Sequence, residues 1–386
     1  MSTDDAVRTL EPLLFSAIRA LCARAKSASG VRAAVLRPQF SWGDVRGTAH
    51  AVYTLVKCGL PESHPLVQGG CAWIVAQQGE PGGVWSDEAW DTALAVRALA
   101  VARAPGFPRA TAERAARWLV DLGLGSDPFN LHEELWETTF ALRALAETHL
   151  VTRSADGPWV EQACRWLLRF QAADGTFVAS HYTALAVLAI EETLRAGLLD
   201  VTPEWTDALE RARASLLSRA TTGEPDRLWS RREGWVNGYV LQALSPMLPA
   251  DSPHDVVLHP ALLARCVAWL ADRERAGWSD DPEDLSEMIL AMRAILARAR
   301  ARAEVGTARL TDDRLREAKA WVATRVEHGV FRAMRSPGLF CQRDASGNWV
   351  LTVSPGFRRR ALAVAAVGGV VVAILKFWKD LVDLFG

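Results

Sequence analysis

Aromatic residues followed directly by carboxylates are the parts of this chain best suited to chemistry. Trp90 precedes Asp91 and Trp136 precedes Glu137. At equivalent points of the same recurring pattern stand His181 with Tyr182, Trp235 with Val236, Ser286 with Glu287, and Arg46 with Gly47. Upstream of these points lie His132, Arg231, Asp280 and Asp281. Indole faces stabilise a carbocation or hold a quaternary ammonium through the ring quadrupole. A carboxyl kept neutral by apolar walls serves as a general acid. Paired carboxylates across an aromatic platform are the apparatus of a glycosidase. The candidate catalytic residues are therefore Asp91, Glu137, Glu287 and His181. The candidate ligand contacts are Trp90, Trp136, Trp235, Tyr182, His132, Arg231, Asp280 and Asp281. Most of them have a structural alternative. Acidic residues at helix starts cap free amides and favour the macrodipole, which would account for Asp91, Glu137, Asp280 and Asp281 without any ligand. The three indoles fit packing and pocket lining equally, and His181 fits a hydrogen-bonded core histidine.

The elements that must position these residues are repeats. The segments WDTALAVRAL from Trp90, WETTFALRAL from Trp136 and HYTALAVLAI from His181 align with RGTAHAVYTL from Arg46, WVNGYVLQAL from Trp235 and SEMILAMRAI from Ser286. The six copies start 44 to 54 residues apart, a spacing that marks a repeat architecture. Each is small and apolar on nearly every face, as a helix buried on all sides must be. Between them run more polar, amphipathic segments such as AWIVAQQ from Ala72, RWLVDLG from Arg117, RWLLRFQ from Arg165, AWLADRE from Ala268 and AWVATRV from Ala320. One outer segment carries Leu216 where the others carry Trp, and the first, over 10–25, is more distant. An open solenoid would also fit the alternation, but inner helices apolar all round need cover on every side, which favours an all-α (α/α)6 toroid. Trp42, Trp85, Trp229 and Trp278 follow the outer segments and are expected to lock neighbouring repeats together. Gly82, Gly83, Gly175 and Gly277 mark the turns.

The stretch WLLRFQAADGTF from Trp166 resembles the Gln-Trp repeat of the terpene cyclase and prenyltransferase superfamily. So does AWIVAQQ from Ala72, followed by Gly83, Val84 and Trp85, and AWDTALAV from Ala89 looks like the inner helices of squalene–hopene cyclases. The resemblance covers about residues 35 to 330. It implies the toroid fold and a deep apolar cavity along its axis. The chain departs from the family in its chemistry. The Asp-x-Asp-Asp acid motif of class II cyclases does not occur. His181, Tyr182 and Thr183 are similar to a Tyr-His-Thr region of protein prenyltransferases, in altered order and without the matching zinc-binding Cys.

Bulk composition narrows the function classes. Of 386 residues half are apolar, and the formal net charge is -1, so neither nucleic-acid binding nor disorder is expected. Six scattered Cys lack metal-ligand spacing and are expected to be reduced, mostly buried thiols. No Walker loop, GxGxxG after a strand, HExxH or GxSxG occurs, so no cofactor and no metal are expected. The acidic, polar start predicts a chain without a secretory leader.

After about residue 326 the texture changes. Leu339 to Arg343 and Trp349 to Val353 flank a Gly-containing turn and predict a β-hairpin. Arg358, Arg359 and Arg360 then precede an uncharged apolar run over 361–375, followed by Lys376, Phe377, Trp378 and Lys379. About 18 residues give roughly 27 Å of helix, enough for a thin bilayer. The arginine cluster would hold the toroid on the cytoplasmic side of an inner, cytoplasmic membrane. Ala361, Ala365, Gly369 and Ala373 recur every four residues, a face through which transmembrane helices self-associate. The expected domains are a toroid over 1–335, a hairpin linker over 336–356, and a transmembrane helix with a short amphipathic tail over 357–386. The expected function is a membrane-anchored toroid, not a standard cyclase, that senses a ligand or partner, with the tail as anchor or membrane effector. Membrane lipid, an isoprenoid-like or other small apolar ligand, and a second copy of the chain are the expected partners. The alternatives are an enzyme or carrier for an isoprenoid or related lipid in a Trp-lined cavity and, third, a glycosidase-type barrel.

Overall fold

The computed structural model describes residues 3–27, 39–79, 84–86, 88–103, 109–124, 135–148, 150–222, 228–230, 233–246, 252–307, 339–343 and 349–353. Twelve α-helices lie among them. In chain order the first six are α1 (Thr3–Ala23), α2 (Val45–Lys57), α3 (Pro65–Ala76), α4 (Ala89–Val101), α5 (Arg109–Leu124) and α6 (Leu135–Thr148). The other six are α7 (Arg153–Leu168), α8 (Ser180–Arg195), α9 (Pro203–Thr222), α10 (Gly234–Ala243), α11 (Pro260–Ala276) and α12 (Pro282–Thr307). The even-numbered helices are the six apolar copies and the odd-numbered ones their amphipathic partners.

The even helices form the inner ring. Helices α2, α4, α6, α8 and α10 pack consecutively side by side. Helix α12 completes the circuit from both sides. A Cβ at Gly238 of α10 would come within 2.7 Å of the Glu287 backbone, so glycine is what lets α10 and α12 approach. On the other side Gly47 of α2 lies against Pro282, and His50 bonds to Glu287. The outer ring closes where α1 packs on α11. Inner helices are buried almost wholly, with runs such as Thr92 to Leu99 and Thr183 to Glu191 inaccessible.

One joint recurs, among the described residues, at several of the connections from an outer helix to the inner helix that follows. The indole N–H of Trp42 donates to Leu21 O at 2.7 Å, that of Trp85 to Ile74 O at 2.6 Å, and that of Trp229 to Leu216 O at 2.7 Å. The accepting carbonyls lie in or just before the last turns of the outer helices, where Leu21 O and Ile74 O also accept backbone N–H bonds from Arg24 and Gln77. The backbone N–H of the same aromatic donates to the third residue of the inner copy: Trp42 to Thr48, Trp85 to Thr92, Phe177 to Thr183, Trp229 to Asn237. The expected locking role of these tryptophans thus has a geometry. Trp278 donates instead to Ser16 Oγ on α1, across the ring closure. Gln171, from the Gln-Trp-like stretch, reaches Ala208 O of α9 at 2.8 Å. The turn after it needs Gly175, whose φ is +89° and whose Cβ would strike Arg211 O.

The described chain divides into two compact units, Met1–Ala303 and Glu304–Gly386. In the second, β3 (Leu339–Arg343) pairs antiparallel with β4 (Trp349–Val353), Leu339 opposite Val353 and Arg343 opposite Trp349. Two short strands in the first unit, β1 (Lys26–Ser27) and β2 (Phe40–Ser41), pair likewise. Among the described residues no helix is long and apolar enough to cross a membrane. The apolar run over 361–375, with Arg358, Arg359, Arg360, Ala365, Gly369, Ala373 and Trp378, lies outside them.

Candidate functional site

The inner ring presents different chemistry at its two ends. Each copy faces the axis with its first, fifth and eighth residues, the i, i+4, i+7 stripe of a helix. At the N-terminal end that stripe is aromatic. Trp136 sits at the hub, edge-on to Trp90 at 5.3 Å, Trp235 at 5.6 Å, His181 at 6.1 Å and Tyr239 at 6.3 Å, and tilted on Phe140 at 5.1 Å. Helices α6 and α10 are not neighbours in the ring, so the Trp136–Trp235 contact crosses the axis. Phe140 also reaches His50 and Tyr239. Trp136 meets both other candidate tryptophans, and all three rings are half-buried. The Trp136 indole nitrogen is buried without a hydrogen-bond partner.

The other candidates at this end are tied into the scaffold. The Arg46 guanidinium stacks 3.3 Å from the Trp90 centroid and bonds Asp91 at 3.3 Å and Glu88 at 3.2 Å. Burial pushes the Asp91 carboxyl upward, while Arg46 and Ser86 pull it down less strongly. Glu137 lies half-buried beside Trp136. His181 packs on Tyr182 and Trp235, and burial holds its pKa below the ordinary histidine value. Asp281 Oδ1 accepts from the Glu283 N–H at 2.8 Å, a cap on α12. Asp280 is fully exposed and pairs with Arg24 at 3.0 Å. His132 and Arg231 lie outside the described residues.

Glu287 belongs to a buried acid–base cluster at the seam between α2 and α12. His50, 3% exposed, places Nδ1 3.2 Å from Glu287 and Nε2 3.8 Å from Glu283. Gln242 donates to the second Glu287 oxygen at 2.7 Å. Burial alone would depress the His50 pKa, but the Glu287 hydrogen bond and the two carboxylate charges raise it. Burial would raise Glu287, and the same hydrogen bond holds it low instead. Glu283 is pushed up by burial.

Toward the C-terminal ends of the inner helices the axis opens into a cavity of about 490 Å³. The eighth residues of the six copies, Tyr53, Arg97, Arg143, Leu188, Gln242 and Arg293, all line it. Below them lie Lys57, Glu147 and Glu192, one helical turn further on. Arg97 bonds Glu147 at 2.5 Å and Glu192 at 3.1 Å, and Arg143 bonds Glu192 at 3.1 Å. Lys57 pairs with Glu147, and the Tyr53 hydroxyl donates to it at 2.8 Å. Burial opposes ionisation of Glu147, yet Arg97 and Lys57 bring its pKa down to about 2. The resemblance implied an axial cavity with apolar walls, and sequence reasoning passed over the charged lining found here. Its signal was present: Arg97 and Arg143 occupy the same position of two otherwise apolar copies, and a charge recurring inside a buried helix demands a partner.

No protein family and no curated protein matches the chain by sequence. A solved structure does match by shape. It is a variant of the type II terpene cyclase MstE from Scytonema, in complex with its substrate geranylgeranyl dihydroxybenzoate. The TM-score is 0.53 at 12% identity, over 76% of this chain and 99% of that one. The chain has a terpene cyclase-like fold. The expected toroid is accordingly supported by both the ring contacts and this neighbour. Among the described residues no group of three His, Cys, Asp or Glu side chains is placed to hold a metal ion.

Proposed function

We propose that the chain is a ligand-sensing module on a terpene cyclase-like scaffold, with its ligand site in the charged axial cavity. One observation carries this: aromatic rings meet across the axis at one end, while a cavity lies along the axis at the opposite end among charged groups. Cyclisation of an isoprenoid needs a neutral acid facing an apolar chamber. The cavity instead holds Glu147, ionised above a pH of about 2, and the Arg97–Glu192–Arg143 bridge. Burying a polyene against such groups would cost their solvation without return. The missing Asp-x-Asp-Asp motif agrees with this. The 357–386 segment is assigned the output: it anchors in the cytoplasmic membrane, with the toroid on the cytoplasmic side, and self-associates through Ala365, Gly369 and Ala373.

Native mass spectrometry of the full-length protein released from detergent tests this. A small molecule retained on the toroid both with and without 357–386, and an oligomer lost with that segment, are the expected results. A cyclised product formed from an added polyprenyl substrate would overturn it. The observation favouring that second function, an isoprenoid-processing enzyme, is Glu283: a carboxyl raised by burial beside His50, next to the aromatic cluster. Loss of any such turnover in Glu283→Gln would then assign the acid.

A further inference from the structure

The cations around the axial cavity outnumber what its carboxylates can satisfy. Glu147 is consumed by Lys57, Arg97 and the Tyr53 hydroxyl, and Glu192 by Arg97 and Arg143. Glu191, the third carboxylate on the wall, is held at 2.8 Å by the fully buried Arg213, which is not part of the lining. Two wall arginines, Arg195 and Arg293, make no ion pair among the described residues. Arg143 is 2% exposed, gives Nε and Nη2 to Glu192, and keeps Nη1 without an acceptor. A guanidinium N–H buried with no acceptor is costly, and an incoming oxyanion relieves that cost.

Helix dipoles account for part of this charge only. Arg195 is in the last turn of α8, where a cation answers the partial negative charge of the helix end. Arg293 is in the middle of α12, where no such charge exists. It comes from the same repeat position as Arg97 and Arg143, so three of six inner helices aim a guanidinium at one space.

We infer that the ligand of the axial cavity is a small polyanion bearing phosphate or carboxylate groups, held by Arg143, Arg195 and Arg293. This rests on the sensing function proposed above and adds the chemical class of the ligand. Guanidinium forks match the paired oxygens of either group, and the shared requirement is two or more negative charges on a compact centre. A cavity of about 490 Å³ leaves room for an organic part beside the anion, since small-molecule sites run from about 300 to 1,000 Å³.

The test is calorimetric titration of the full-length protein in detergent, in a phosphate-free buffer, with inorganic diphosphate and with citrate as the probes. The variants are Arg293→Gln and the Arg195→Gln/Arg293→Gln pair. Both arginines are exposed and make no ion pair among the described residues, so the variants keep the fold, which circular dichroism and an unchanged or higher Tm without anion would document. Saturable binding to the wild type is expected, weakened about tenfold for each guanidinium removed. Diphosphate binding alone assigns a phosphate-bearing ligand, and citrate binding alone a polycarboxylate. Binding of neither probe, or equal binding to the double variant, overturns the inference. If a neutral ligand is then found on the toroid by native mass spectrometry, the sensing function stands and only the anion assignment falls. If the protein carries no ligand at all, both fall.

Discussion

The two ends of the inner ring are built from the same six helices, less than three turns apart, and have opposite solutions to a buried axis. At the N-terminal end, rings from α4, α6 and α10 meet edge to face across the axis. At the other, ionised side chains from α2, α4, α6 and α8 hold one another around a cavity. Rings close a space because contact between them is favourable in nearly any tilted arrangement. Charges resist such closure, because each must be paired or keep access to water. The difference teaches where to look for a ligand: not where aromatic residues are most concentrated, but where side-chain chemistry prevents collapse.

The comparison can be broken at its hub. Trp136→Ala removes the ring touched by six other aromatics and is expected to destabilise the toroid by about 3–5 kcal/mol in urea unfolding. It should also open a void that added indole refills, recovering part of the loss. An effect below about 1 kcal/mol would mean that the rings are not a packed plug.

Glu192→Gln attacks the charged end by leaving Arg97 and Arg143 without their shared anion. A loss of about 2–4 kcal/mol is expected from the same measurement, because the buried Arg143 loses its carboxylate and Arg97 keeps only Glu147. Glu192→Gln combined with Arg143→Gln should recover part of it, which a purely steric role for Glu192 would not allow.

The ends should also part company with pH. His50 has its pKa raised in the folded state, so its contribution is complete below the ordinary histidine range and is lost as pH rises through the folded value. The groups facing it are Glu283, Glu287 and Arg97. Glu147 is depressed from 4.5 to about 2, so its contribution is present above pH 4.5 and is lost as pH falls toward 2. Unfolding free energy measured across pH should therefore decline on both sides, with the alkaline decline abolished in His50→Gln and part of the acid one in Glu147→Gln. Identical profiles in wild type and His50→Gln would remove the seam from the account. The smallest change is expected for Arg46→Ala, about 1 kcal/mol, since its stack on Trp90 and its pair with Asp91 are partly exposed.

Much of the scaffold was legible before any coordinates. The six copies are the six inner helices, and Trp42, Trp85 and Trp229 join repeats as their positions foretold. Asp281 proved to cap α12, the structural alternative stated for it. The site was legible only in part. Trp90, Trp136 and Trp235 were recognised as facing the axis, but alignment alone left open whether they border a space or occupy it. Arg97 and Arg143 stood in plain view and were read as part of an apolar helix, because their partner Glu192 lies 95 and 49 residues away.

What the sequence determined by itself is the repeat: its period, the apolar faces that make the inner helices, and the glycines and tryptophans of the joints, all of which favour a ring. These are local matters, set within a turn or two of helix and repeated. What only the tertiary structure decided is the content of the axis. There, His50 meets Glu287 and Arg97 meets Glu192 across elements far apart in the chain. Whether side chains aimed at a common axis touch or leave room depends on the ring's radius and on their length and charge together, and no single repeat contains that information.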